Sequence, residues 1–337
     1  MKKHIVYLTA VFTALLLAAS CQQDNPDTGY SVIADPIQEQ NDFDKWLEAN
    51  YVNPYNIEFK YRYELNESDV NYFTVPANMD NSIIMAHLVK YLCIDTYDEV
   101  AGITFTRKYF PKMFFLIGVW EYRNNGTYIL GTAEGGKKIL LAGINFLDQH
   151  LGSAEALNYY YIKTIHHEFT HILNQTLAYP ADFKEISGSE YIADEWSDTG
   201  GWLQNGFITQ YSQHSDTEDF AEMLSTYITN SETQWNTWME QAGDGAEAIM
   251  AKLDIVRSYM QTGFDIDIDV LRNTILRRQE EVVAGRVDLN SLVVEYSLNG
   301  KTYEKKKYLS TSGGGHPFLP ASVLPEGAGR HLRGVCF

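Results

Sequence analysis

Two histidines four residues apart with a glutamate directly after the first, in His167-Glu168-Phe169-Thr170-His171, are the residues of this chain best suited to chemistry. On a helix His167 and His171 fall one turn apart on one face, close enough to bind a single Zn²⁺. Glu168 projects beside them, placed as a general base for water on that ion. The flanks predict the helix: Ile162, Ile165, Phe169, Ile172 and Leu173 recur at spacings of three and four and would bury the side opposite the site.

A zinc hydrolase requires a third protein ligand and an open fourth position. Glu218-Asp219-Phe220-Ala221-Glu222, followed by Met223, Leu224 and Tyr227, reads as a second helix with Phe220, Leu224 and Tyr227 on its apolar side. Glu218 and Glu222 share the other side. An isolated run of this kind would read as a solvated face or a helix N-terminal cap. Downstream of an HExxH helix we assign Glu218 to the metal, with Asp219 as the alternative ligand. Glu222 is assigned as the carboxylate that orients a zinc-bound imidazole through its other nitrogen. His166 points about 100° away from His167 around a helix and reads as a packed histidine, and His214 as a loop residue.

The segments around these motifs, with Gly206-Phe207 and Tyr211 ahead of Glu218, resemble the zinc metallohydrolase lipoproteins associated with substrate import in Bacteroidota. The same family pattern shows a PYNIE segment and a following YRY (Pro54 to Glu58, Tyr61 to Tyr63). It also shows an apolar strand opened by Pro111-Lys112 and a G-x-AEGG-K run from Gly131 to Lys137. The resemblance covers roughly residues 40 to 285. More distantly, the HEF-x-H and E-x-F-A-E motifs look like the catalytic domain of anthrax lethal factor, whose corresponding first Glu binds zinc. A tyrosine seven residues before that Glu stabilises the transition state there; Tyr211 stands seven before Glu218. The resemblance therefore implies a zincin-like metallopeptidase of the gluzincin type, with Glu168 and Tyr211 as catalytic residues. It implies a peptide or glycopeptide substrate, and as partners an outer-membrane nutrient importer and its surface binding lipoprotein. A binding subunit of the import complex whose zinc site is catalytically idle is the alternative.

The elements that must position these residues follow from the pattern. A helix is expected near Asp42 to Ala49, a strand from Asn56 to Tyr63 with Ile57, Phe59 and Tyr61 on one face, and a helix from Ser82 to Tyr97. Strand-like runs follow at Ile103 to Thr106, Met113 to Val119, Thr127 to Leu130 and Lys138 to Phe146, so a mixed sheet precedes the motif helix and the class is α+β. In the zincin fold that the HExxH helix implies, the strand upstream commonly forms the sheet edge along which an extended substrate lies, which makes Ile139 to Ile144 the candidate. Residues 179 to 217, rich in glycine and polar residues, predict a loop-built cleft wall. Helices are expected over 232 to 241, 246 to 260 and 269 to 284. A hairpin turning at Asn299-Gly300 follows them.

The chain has 337 residues, is 45% hydrophobic and carries a formal charge of −18. That content suffices for a substantial core, and the acidic balance repels nucleic-acid phosphate and anionic lipid headgroups, excluding both as electrostatic partners. Lys2 and Lys3 precede an apolar run from Ile5 to Leu17, and Ala18-Ala19-Ser20 leads into Cys21. This reads as a lipoprotein leader (1 to 20) with acylation at Cys21, followed by a polar tether (21 to 40). The expected location is the outer membrane, held by lipid alone. The metallohydrolase domain would then span 41 to 285, a hairpin appendage 286 to 310, and an atypical, disordered tail 311 to 337. Cys93 and Cys336 could pair, but Cys93 sits in an apolar helical pattern with Leu88 and Leu92 and reads as a buried free thiol.

Overall fold

Four short strands form the sheet behind the motif helix, in the order β1 (Glu58–Lys60), β2 (Met113–Leu116), β6 (Lys138–Leu141), β5 (Gly131–Glu134). The computed structural model describes residues 39–69, 71–122, 128–134, 137–298 and 301–304. The expected leader, Cys21, nearly all of the tether, Cys336 and the tail lie outside the described residues. β1, β2 and β6 run parallel, and β5 returns antiparallel to β6. A separate short hairpin of β3 (Glu121–Tyr122) and β4 (Tyr128–Ile129) leads into β5.

Side chains alternate across the pleat, so each strand feeds two faces. Phe59, Phe114, Leu116, Ile139 and Leu141 enter the main core, while Phe115, Ile117, Leu140 and Ala142 form a second buried cluster on the other side. The expectation that Ile139 to Ile144 forms the substrate-facing edge is therefore wrong. β6 is paired on both flanks, and its unbroken apolar run is what a strand covered on both faces requires. The edge nearest the motif helix is β5, and Gly131 lets it approach closely: a Cβ there would stand 2.7 Å from Thr164 Cγ2 on that helix.

A second expectation also fails. Ile103 to Thr106 is not a strand; it opens helix α4 (Ile103–Tyr109), begun after Gly102 at φ +81°. Phe105 and Tyr109, one helical turn apart, hold ring contact at 5.0 Å, a pairing that outweighs the local β-branched preference.

The remaining α-helices of four residues or more among the described residues are, in chain order, α1 (Asp42–Leu47), α2 (Met79–Leu88), α3 (Asp95–Ala101), α5 (Ala154–Leu157), α6 (Lys163–Thr176), α7 (Asp182–Ser187), α8 (Asp216–Thr229), α9 (Glu232–Ala242), α10 (Gly245–Phe264) and α11 (Ile268–Val283). Single π turns at Val89–Ile94 and Asn158–Ile162 join α2 to α3 and α5 to α6. α6 carries the HExxH residues and is anchored by Ile165, Phe169 and Leu173, all fully buried. The Phe169 ring meets Phe110 at 4.9 Å and Tyr97 at 5.0 Å. Burying one such ring stabilises the fold by about 1.5–3 kcal/mol.

Behind the motif, His166 is fully enclosed, with its Nδ1 3.1 Å from the Tyr97 hydroxyl and its Nε2 3.9 Å from Cys93 Sγ. Cys93 itself is buried and free. After α11 the chain stays on the core through Val287, Leu289, Leu292 and Val294 before pairing β7 (Glu295–Leu298) with β8 (Lys301–Glu304). The turn at Asn299-Gly300 lies outside the described residues. Among the described residues no helix is long and apolar enough to cross a membrane.

Candidate metal centre

α6 and α8 pack side by side and bring the two sequence motifs together. α8 starts at Ser215, whose side chain accepts a hydrogen bond from the Glu218 amide, so Ser215 and Glu218 have the spacing of a capping box. In that motif the glutamate folds back onto its own cap. Here Glu218 Oε2 instead lies 2.9 Å from His167 Nε2 and 3.2 Å from His171 Nε2, and the two imidazole nitrogens are 3.0 Å apart.

These three atoms form a near-equilateral triangle. Tetrahedral zinc with bonds of about 2.0–2.2 Å sets donor spacings of roughly 3.3 Å, so movements of a few tenths of an ångström accommodate the ion. Two imidazole nitrogens and one carboxylate oxygen are also the donor chemistry of catalytic zinc. Among the described residues, His167, His171 and Glu218 form the one group of three or more such side chains that could hold a metal ion.

Glu222, one turn beyond Glu218, lies behind His167. Its Oε1 is 2.9 Å from His167 Nδ1, at ion-pair distance but short of hydrogen-bond alignment. A proton on Nδ1 facing this carboxylate leaves the Nε2 lone pair for a metal. The other oxygen, Oε2, accepts hydrogen bonds from Lys163 Nζ at 2.6 Å and Thr209 Oγ1 at 2.6 Å.

The electrostatics agree with a cation site. Burial pushes the Glu218 carboxyl up, but His167 and His171 outweigh it and hold the group well below the usual carboxylate range. Burial likewise raises Glu222, and Lys163 and His167 more than reverse that. Burial lowers His167, yet Glu218 and Glu222 lift it far above an ordinary imidazole. Both carboxylates are thus held in their charged form, Glu218 by the two imidazoles and Glu222 by Lys163 and His167.

Asp219, the alternative ligand, is turned away. It is fully buried against Lys252 Nζ at 2.6 Å and accepts a hydrogen bond from Tyr191 at 3.0 Å. Lys252 also donates to the Gly206 carbonyl at 2.8 Å, tying α10 to the loop ahead of Tyr211.

Glu168 is half-buried on the same helix as the two histidines. Tyr211 opens a short 3₁₀ turn (Tyr211–Gln213), with its ring centroid 6.0 Å from that of His167 and 4.9 Å from that of Trp196. Trp196 belongs to another 3₁₀ turn (Ala193–Asp198). Backbone bonds from Ile192 to Gln213 and from Ala193 to His214 fold this turn against the Tyr211 turn. The segment from 179 to 217 is loop-rich as expected, its helices no longer than six residues before α8 begins, and His214 faces Asp194 at 3.6 Å. Sequence reasoning missed Lys163 and Thr209. Lys163, one turn before His167, carried a readable signal; Thr209, in an irregular loop, carried none.

A family model described as "putative zinc-binding metallo-peptidase" matches residues 36–269, a span that contains every residue of this centre. Among solved structures, one described in the same words, from Bacteroides caccae ATCC 43185, is 40% identical. The match covers 78% of this chain and 100% of that one, with a TM-score of 0.66. No curated protein matches. With the matched span holding a two-histidine, one-glutamate donor set between two packed helices, the chain belongs to this family of zinc-binding metallo-peptidases.

Proposed function

We propose that the protein is a zinc-dependent peptidase with a zincin-like fold, of the gluzincin type, in which His167, His171 and Glu218 hold the metal. The observation that carries this reading is the donor triangle, with Glu168 next in sequence to His167 on the same helix. A purely structural zinc site is closed by four protein ligands and has no use for a general base. Zinc, when bound, brings the pKa of its water to about 7 and polarises the carbonyl under attack.

The chain's own residues do the rest. Glu168 takes the proton of the attacking water and passes it to the leaving amine. Tyr211 donates a hydrogen bond to the oxygen of the carbonyl as charge develops on it. Glu222 fixes the His167 ring, and an extended peptide adds to the open edge of β5, where it lies against α6.

The substrate class we favour is peptide or glycopeptide at the outer membrane. The protein would be anchored through acylated Cys21 beside a nutrient importer and its binding lipoprotein, on the strength of the leader-like N-terminus and the family resemblance. The test is cleavage of a broad peptide and glycopeptide pool by wild type and Glu168→Gln at equal zinc occupancy. Wild type should cleave and the variant should not. If zinc-loaded wild type cleaves nothing that Glu168→Gln spares, the idle binding-subunit reading replaces this one.

A further inference from the structure

We propose that Thr209 is a positioning residue of the metal centre, linking the turn that carries Tyr211 to the ligand His167 through Glu222. This inference rests on the zinc reading above. Glu222 is almost completely buried and uses its two oxygens differently, Oε1 toward His167 Nδ1 at 2.9 Å and Oε2 toward Lys163 and Thr209 at 2.6 Å each. Thr209 has one proton to give, and it goes to the carboxylate. Its lone pairs are then available to the Ser212 amide, which donates to Thr209 Oγ1 at 3.1 Å, and the Ser212 hydroxyl lies 3.1 Å from the same oxygen.

Ser212 is the middle residue of the 3₁₀ turn headed by Tyr211 and is itself fully buried. A continuous line of polar contacts therefore runs from the ligand imidazole through Glu222 and Thr209 to the backbone of the Tyr211 turn. Removing the Thr209 hydroxyl takes one of two donors from Glu222 Oε2 and the side-chain acceptor from the buried Ser212 amide. Lys163, rising from the ligand helix, fixes the carboxylate from the other side, so Glu222 cannot follow Thr209 if the loop moves. Order in the Tyr211 turn and metal held at His167 are thus linked, and linkage of this kind is reciprocal.

The experiment measures zinc affinity by chelator competition, and hydrogen exchange at the Ser212 amide with and without zinc, for wild type, Thr209→Val and Thr209→Ser. Thr209→Val should weaken zinc binding by about tenfold, the lower end of what outer partners of a ligating histidine contribute. It should also abolish the slowing of Ser212 exchange by zinc, and Thr209→Ser, which keeps the hydroxyl, should restore both. Thr209→Ala reports in place of Thr209→Val should the latter not fold. Wild-type affinity and zinc-dependent protection in Thr209→Val, or a Thr209→Ser as weak as Thr209→Val, overturns the inference while leaving the zinc reading intact. Failure of wild type itself to bind zinc overturns both.

Discussion

His167 is the residue on which the centre converges: its Nε2 faces Glu218 and His171, and its Nδ1 faces Glu222. Replacing His167, His171 or Glu218 by alanine should each lower zinc affinity strongly, measured by chelator competition, because three ligands leave no spare donor. Glu168→Gln keeps size and hydrogen-bonding capacity but loses basicity, so zinc affinity should persist while turnover falls by roughly 10² to 10⁴-fold. Tyr211→Phe should cost less in the same cleavage assay, since the metal still polarises the carbonyl. That His167, His171, Glu218 and Glu222 come together was legible because each is a donor type at helical spacing. The partners of Glu222 were only partly so. Thr209 lies thirteen residues before it in a loop that Lys252 contacts at the Gly206 carbonyl, a tertiary contact that no local pattern encodes.

At the scale of elements, α6 and α8 were readable from their apolar periodicity, but the sheet was read less well. Ile139 to Ile144 suits an edge only by its place upstream of the motif helix, while its lack of polar alternation marks a doubly covered strand; Ile103 to Thr106 suits a strand by residue type, where the Phe105–Tyr109 spacing favours a helix. Two predictions belong here. Ser215→Ala removes the cap that starts α8 at the metal face and should cost about 1 kcal/mol in denaturant unfolding carried out with chelator, so that metal does not enter. Lys252→Met strands the Asp219 carboxylate without its cation in the interior and should cost about 3–5 kcal/mol, whereas pairing it with Asp219→Asn should recover much of that loss. A double variant as unstable as Lys252→Met alone would show that the pair's burial is not the cause.

For the whole molecule, the zinc reading joins the two halves of the motif across the fold, so occupancy should register in global stability. Zinc at about a thousandfold above its dissociation constant stabilises by about 4 kcal/mol, and the resulting rise in melting temperature should vanish in Glu218→Ala but remain in Glu168→Gln. The lipid-anchored topology read from the N-terminus makes a separate demand: Cys21→Ala should leave the membrane fraction and become soluble, and unchanged fractionation would contradict anchoring there. The central claim is the identity of the metal and its ligands, and anomalous diffraction recorded on both sides of the zinc edge tests it most directly. The predicted result is one strong zinc peak per chain, bonded to His167 Nε2, His171 Nε2 and a Glu218 oxygen with an open fourth position. A zinc peak coordinated by Glu222 or Asp219 in place of Glu218, or no peak between α6 and α8 in zinc-equilibrated crystals, would contradict it.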